Sequence, residues 1–289
     1  MSIKSKKVRD RVRYTLILIL LILLGIVFAL PFLFLISSAF KTPEQVVKYP
    51  PEWIPSPFTL RAFKEGFEAF PFLLYFRNSS VVTLLSVIGN LISTTVVAYA
   101  FARLRARMKN VIFSIVLSTI MIPWLVTFVP LYVIYSKINF LDTYFPLVLP
   151  YFLSCHVFSV FLMRQFFMGI PRELDEAAQI DGCGVIGTLV RIIVPNAKPS
   201  ILICAIFVFV ASWNDFFAPL IYLNDSNKHT LSVGLSLWSN SASSNLSSRI
   251  LDISPLMAMS LISIVPVMVL YMFAQRYFVE GVVTTGIKG

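Results

Sequence analysis

Six stretches of the chain are long, apolar and almost free of charge, and polar connections separate them. Residues 14–40, 78–102, 110–136, 143–163 and 253–275 carry no Asp, Glu, Lys or Arg, and 200–223 carries only Asp215. A hydrocarbon core of ~30 Å takes about 20 helical residues to cross. Backbone amides find no water there and must bond within the segment. The pattern therefore predicts an all-α integral membrane protein with six transmembrane helices, at 14–40, 78–102, 110–136, 143–168, 200–223 and 253–277. An N-terminal segment 1–13, outer loops 41–77 and 224–250, a long connection 169–199 and a C-terminal segment 278–289 complete the chain.

Charge gives these spans a direction. Six Lys and Arg precede the first span, four lie at 103–109, four at 164–198 and two at 276 and 288, against eight in the segments on the other side. Cytoplasmic segments carry the excess of Lys and Arg, so both termini are expected in the cytoplasm of a bacterial-type plasma (inner) membrane. The first span follows a basic segment, as a signal peptide does, but its apolar stretch is too long and no small-residue cleavage site follows. Tyr14, Tyr75, Tyr144, Tyr222 and Tyr277 fall at span ends, where interfacial rings are expected. Trp124, mid-span after Pro123, does not fit that pattern.

Composition changes little in this picture and excludes several alternatives. Hydrophobic residues make up 57% of 289 positions and charged residues 13%, with mean hydropathy +0.82, against about a quarter charged in soluble domains. The net charge of +10 sits at segment ends and not in a stripe interleaved with aromatics, which argues against nucleic acid. Cys155, Cys183 and Cys204 lack the paired spacing of a metal site or disulfide framework, and His156 and His229 have no ligand set, so no metal is expected.

Three connections are long enough to have roles. Pro43, Pro50, Pro51, Pro55 and Pro57 predict that 41–77 is ordered by rigid turns. Ser239–Asn245 reads as a flexible polar stretch, either a plain linker or an exposed element. The connection 169–199 reads as two short helices joined at Asp181-Gly182. Pro171 suits a first helical position, and Glu173, Asp175 and Glu176 complement the helix N-terminus. Val185, Leu189 and Ile192 then form an apolar stripe before Pro195 and Pro199. Such a pair either docks on a partner or lies on the membrane surface.

The same residues carry a resemblance. Glu176-Ala177-Ala178-x-x-Asp181-Gly182, followed by Ile192-x-Val194-Pro195 and Pro199, resembles the EAA loop of ABC-importer permeases, with Cys183 in place of the usual Ala and Val194 in place of Leu. Phe161-Leu-Met-Arg-Gln-Phe-Phe, Trp213-Asn214-Asp215-Phe216-Phe217-Ala218-Pro219-Leu220, Thr230-Leu231-x-Val233-Gly234-Leu235 and Gln275-Arg276-Tyr277-Phe278-Val279-Glu280-Gly281 are similar to the carbohydrate-uptake branch, specifically the second permease of the maltose/oligosaccharide type. The resemblance implies one permease domain over about 78–277 and a second homologous permease. It also implies a cytoplasmic ATPase dimer gripping the 169–199 loop and an extracytoplasmic solute-binding protein that delivers a sugar. Glu176, Ala177, Ala178, Asp181, Gly182 and Pro195 would then couple to the ATPase.

The chain shows no Gly-x4-Gly-Lys-Ser/Thr phosphate loop, so ATP is expected to be used by a separate subunit, with no cofactor bound here and no enzymatic step. Trp213, Asn214 and Asp215 are candidates for the translocation pathway, because an acid within a span is a functional hypothesis by default. Asp215 is equally an interfacial acid near the outer surface. A secondary transporter without an ATPase is the rival reading, but internal repeats and buried coupling residues are not evident.

Overall fold

The computed structural model describes the backbone of residues 3–244 and 253–286 and the side chains of 9–241 and 253–275. Its helices run in the order α1 (Ile3–Ala39), α2 (Pro43–Val46), α3 (Arg61–Ala69), α4 (Phe72–Arg103), α5 (Lys109–Ser118), α6 (Trp124–Lys137), α7 (Phe145–Phe152) and α8 (Val157–Gly169). They continue as α9 (Glu173–Ile180), α10 (Val185–Thr188), α11 (Val194–Asn196), α12 (Lys198–Trp213), α13 (Phe217–Tyr222), α14 (Leu231–Ser244) and α15 (Ser254–Gly286). Among the described residues four helices are long and apolar enough to cross a membrane, or up to six if two bent pairs each count as one span.

The bends depart from the straight spans expected from the apolar runs. The third run is broken at Ile122-Pro123, where Lys109–Met121 and Trp124–Lys137 meet at 96°. Ile122 is extended, as a residue before proline is pushed to be. The fifth run is split into α12 and α13 by Asn214–Phe216, and a further 81° bend separates α12 from the segment Val185–Asn196 before it.

The chain forms two compact units, one comprising residues up to Phe72 with Leu235–Ile264, the other Leu73–Gly234 with the remainder. In the first unit the proline-rich connection 41–77 is held by aromatic pairs. Phe40 stacks on Phe58 at 4.7 Å, and Trp53 meets Phe34 edge-on at 6.1 Å. Gln45 accepts from the Thr42 N–H and donates to the Ser56 carbonyl. The Ser239–Asn245 expectation is corrected here: Ser239–Ser244 belong to α14, anchored by Trp238 stacked on Phe70 at 4.9 Å, and Asn245 lies outside the described residues.

In the second unit α4 turns a polar face inward. Ser79, Thr83, Ser86, Asn90 and Thr94 are spaced by three or four residues and all are buried. Small polar side chains let apolar helices approach closely and bond across. Ser212 Oγ donates to Thr83 Oγ1, and Ser93 Oγ to the Tyr151 carbonyl. Further along the same helix Ala98, Tyr99 and Ala102 join Met163, Phe167, Ile193 and Cys204 in one apolar cluster. Two of the five tyrosines expected at the interface are packed inside the protein instead. Tyr75 and Tyr222 are buried, Tyr222 against Phe128, Tyr132 and Tyr135, whereas Tyr14 is exposed. The Tyr277 side chain lies outside the described residues.

Candidate functional site

The connection 169–199 is built around one short helix with a tightly closed C-terminus. The N–H groups of Asp175 and Glu176 both donate to the Arg172 carbonyl, at 2.9 and 3.1 Å, so α9 begins after Arg172. Pro171 therefore stands just outside the helix and not at its first position. Glu173, Asp175 and Glu176 occupy the first turn, opposite in sign to the partial charge there.

At the other end the Gly182 N–H reaches the Gln179 carbonyl at 3.0 Å and the Cys183 N–H reaches Ala178 at 2.8 Å. That pair of bonds is a Schellman closure, with Gly182 as the residue that must turn left-handed. Its φ is +80°, a region in which a side chain is strained.

Ala178 is the face of α9 turned inward, 4% exposed, while Glu176, Ala177 and Asp181 face out. Ile180 is 86% and Ile186 76% exposed, an unusual degree for isoleucine. The apolar stripe beyond Gly182 differs from the expected Val185, Leu189 and Ile192. Leu189, Ile193 and Ala197 are buried, and Val185 is exposed. The reason is a wider π turn over Leu189–Ile193, which shifts the inward positions by a residue just before Pro195 removes a backbone donor. Pro195 itself is exposed in α11.

Trp213, Asn214 and Asp215 do not converge. Trp213 ends α12 and is buried, stacked on Phe209 at 5.7 Å and edge-on to Phe76. Asn214 is exposed and donates to the Val210 carbonyl at 2.9 Å. Asp215 leaves the helix, accepts the Ala218 N–H at 3.2 Å, and lines a cavity of about 430 Å³ with Tyr151, His156, Trp124, Phe128 and Tyr222. His156 is the cavity-facing residue of that wall, with Nδ1 at 2.7 Å from Ser159 Oγ. Sequence reasoning missed Tyr151 as a wall residue. The odd position of Trp124 after Pro123 was the only signal, since that break aims its ring edge-on at Phe128 and Phe217.

Elsewhere in the second unit, Asp142 ties the connection between α6 and α7 to the segment that follows α13. Its Oδ1 accepts the N–H groups of Asn224 and Asp225, and its Oδ2 lies 2.7 Å from Lys228 Nζ. The hydrogen bond from Lys228 holds the Asp142 carboxyl below its ordinary pKa, and Asp142 raises Lys228 in return.

A family described as binding-protein-dependent transport system inner membrane component matches residues 91–284. The chain belongs to this family. Its members are transport permeases of the inner membrane, and the all-helical, multi-span architecture agrees with that membership. The chain is 34% identical over 262 residues to the arabinooligosaccharides transport system permease protein AraQ of Halalkalibacterium halodurans, covering 90% of this chain and 91% of that one. It is 31% identical over 272 residues to Protein LplC of Bacillus subtilis, covering 92% and 91%. A chain of a bacterial ABC transporter involved in the import of the polysaccharide alginate shares the fold, with a TM-score of 0.82 over 93% of this chain and 98% of that one, at 22% identity.

Proposed function

We propose that this chain is a permease subunit of an ATP-driven importer of a sugar or oligosaccharide, forming half of the translocation pathway. The observation that carries this reading is α9, closed by Gly182 and offering Glu176, Ala177, Ile180 and Asp181 outward on a membrane-embedded scaffold. An exposed apolar and acidic face of this kind needs a partner to cover it. The full-length similarity to an arabinooligosaccharide permease supports a saccharide cargo.

A cytoplasmic ATPase dimer grips α9 and consumes the ATP, and this chain binds no cofactor and catalyses no reaction. A second homologous permease completes the pathway, and an extracytoplasmic binding protein supplies the sugar. Both termini lie in the cytoplasm. Asp215 and the aromatic wall around it form a lining suited to sugar hydroxyls and ring faces, and Trp213 braces the helix behind it.

The test is purification of the tagged chain from its native membrane, followed by uptake in vesicles of a panel of labelled malto-, xylo-, arabino- and chito-oligosaccharides. A co-purifying ATPase with a phosphate loop, a second permease and saturable uptake of a panel member are expected. A homodimer that purifies without any ATPase overturns the reading.

A further inference from the structure

The last turn of α4 approaches α9 through a single guanidinium. Arg103 is the C-terminal residue of that long helix, and its side chain is only 5% exposed. Nη2 donates to the Ile170 carbonyl at 2.6 Å, at the end of α8. Nε lies 3.3 Å from Asp175 Oδ2 in the first turn of α9, and that carboxylate is 14% exposed. One side chain therefore touches the ends of two long apolar helices and the helix read as the ATPase grip.

The pair is incompletely used. Among the described residues Arg103 Nε and Asp175 Oδ1 are buried without a hydrogen-bond partner. A buried carboxylate with an idle oxygen is costly, and a fork-to-fork guanidinium pair would use both oxygens. The 3.3 Å contact is within bonding distance yet makes no hydrogen bond, so it lacks alignment, which a small shift or rotation of α9 would supply. A cleft of about 400 Å³ beside the pair, lined by Arg103, Arg105, Arg172, Glu176 and Gln179, leaves room for that movement.

We propose that the Arg103–Asp175 pair is the strap that passes movement of α9 into α4, tightening in one state of the importer and slackening in the other. Arg103 is a positioning residue in this scheme. The pair supplies a contact whose strength differs between states, which is what a coupling free energy between two sites requires. Lysine is a poor replacement for the arginine, because Arg103 reaches the Ile170 carbonyl and the carboxylate through two different nitrogens, Nη2 and Nε, and lysine has only one. The inference rests on the importer reading above, which makes α9 the grip.

The experiment uses the whole complex in proteoliposomes, with ATP hydrolysis and uptake of the same oligosaccharide panel measured together. Variants are Arg103→Lys, Asp175→Asn, the exchange Arg103→Asp with Asp175→Arg, and Glu176→Ala as reference. The strap predicts that both single variants retain the ATPase subunit on purification. Sugar moved per ATP should fall roughly tenfold in each, and the exchange, which restores the ion pair but not the bond to the Ile170 carbonyl, should recover only part of the loss.

Unchanged sugar per ATP in the single variants, while Glu176→Ala is uncoupled, overturns the strap and leaves the importer reading standing. Loss of the ATPase subunit from the single variants also overturns it, since the pair would then be a structural staple. Coupled transport in every variant, Glu176→Ala included, refutes the grip assigned to α9 and the strap with it. No sugar uptake by the wild-type complex refutes the importer reading itself.

Discussion

Replacing Gly182 by alanine isolates one backbone requirement of the α9 loop. At φ +80° a β-carbon would meet nothing within 4 Å, so crowding by neighbours adds nothing to the cost. What remains is the left-handed conformation itself, about 1–2 kcal/mol for an L-residue. That is roughly a 5–30-fold change in the population of the closed turn.

The bonds at stake are Gly182 N–H to Gln179 and Cys183 N–H to Ala178. Amide exchange over residues 178–184, followed by mass spectrometry on the purified complex, should therefore accelerate by about that factor in Gly182→Ala. Asparagine, which tolerates this region better, should fall between glycine and alanine. Gly169→Ala is the control: it too has an open β-carbon position, but its backbone is helical, so the same substitution should be neutral or stabilising. Exchange in Gly182→Ala equal to wild type, or equal effects at the two glycines, would refute the reasoning.

Other outcomes follow from contacts elsewhere. A β-carbon at Gly89 would lie 2.3 Å from Phe152 Cδ2, so Gly89→Ala should lower thermal stability in detergent by about 1–3 kcal/mol, with recovery in Gly89→Ala/Phe152→Leu; an unchanged melting temperature contradicts this. Asp142 has its pKa lowered by Lys228 and by the two backbone donors, so its contribution is full above the ordinary value of 3.8 and is lost as pH falls through the lower folded value. Lys228 is raised from 10.5, so its contribution is full below that value and is lost as pH rises through the higher folded one. A stability profile from pH 2 to 7 (about the range in which carboxylates titrate) should lose this part of its acid limb in Asp142→Asn, and superimposable profiles would refute the assignment. For Asp215, uptake should fall about tenfold with Leu and much less with Asn, because Leu removes the polar group at this position of the cavity wall and Asn keeps one; equal uptake with Leu removes the residue from the pathway.

The apolar runs and the turn in the 169–199 connection were readable because each depends on local chemistry. Charge-free runs announce helices in lipid, and Asp181-Gly182 announces a chain reversal whatever packs nearby. The breaks were harder to read, since an apolar run has the same composition straight or bent; only Pro123 marked one. The divergence of Trp213 and Asp215 depends on where α12 stops, and no residue type signals that stop. The Ser239–Ser244 stretch has a linker composition but is held helical by Trp238 on Phe70, a pairing set by tertiary structure. The Arg103–Asp175 pair was equally hidden, because positive-inside counting treats every arginine at a span end alike.

The most direct test of the central claim is accumulation of a labelled oligosaccharide in proteoliposomes holding this chain with its co-purified permease and ATPase. The account predicts uptake that requires both ATP on the cytoplasmic side and the binding protein on the other, and that vanishes when either is omitted. Uptake by this chain alone, driven by an ion gradient without ATP, would contradict it.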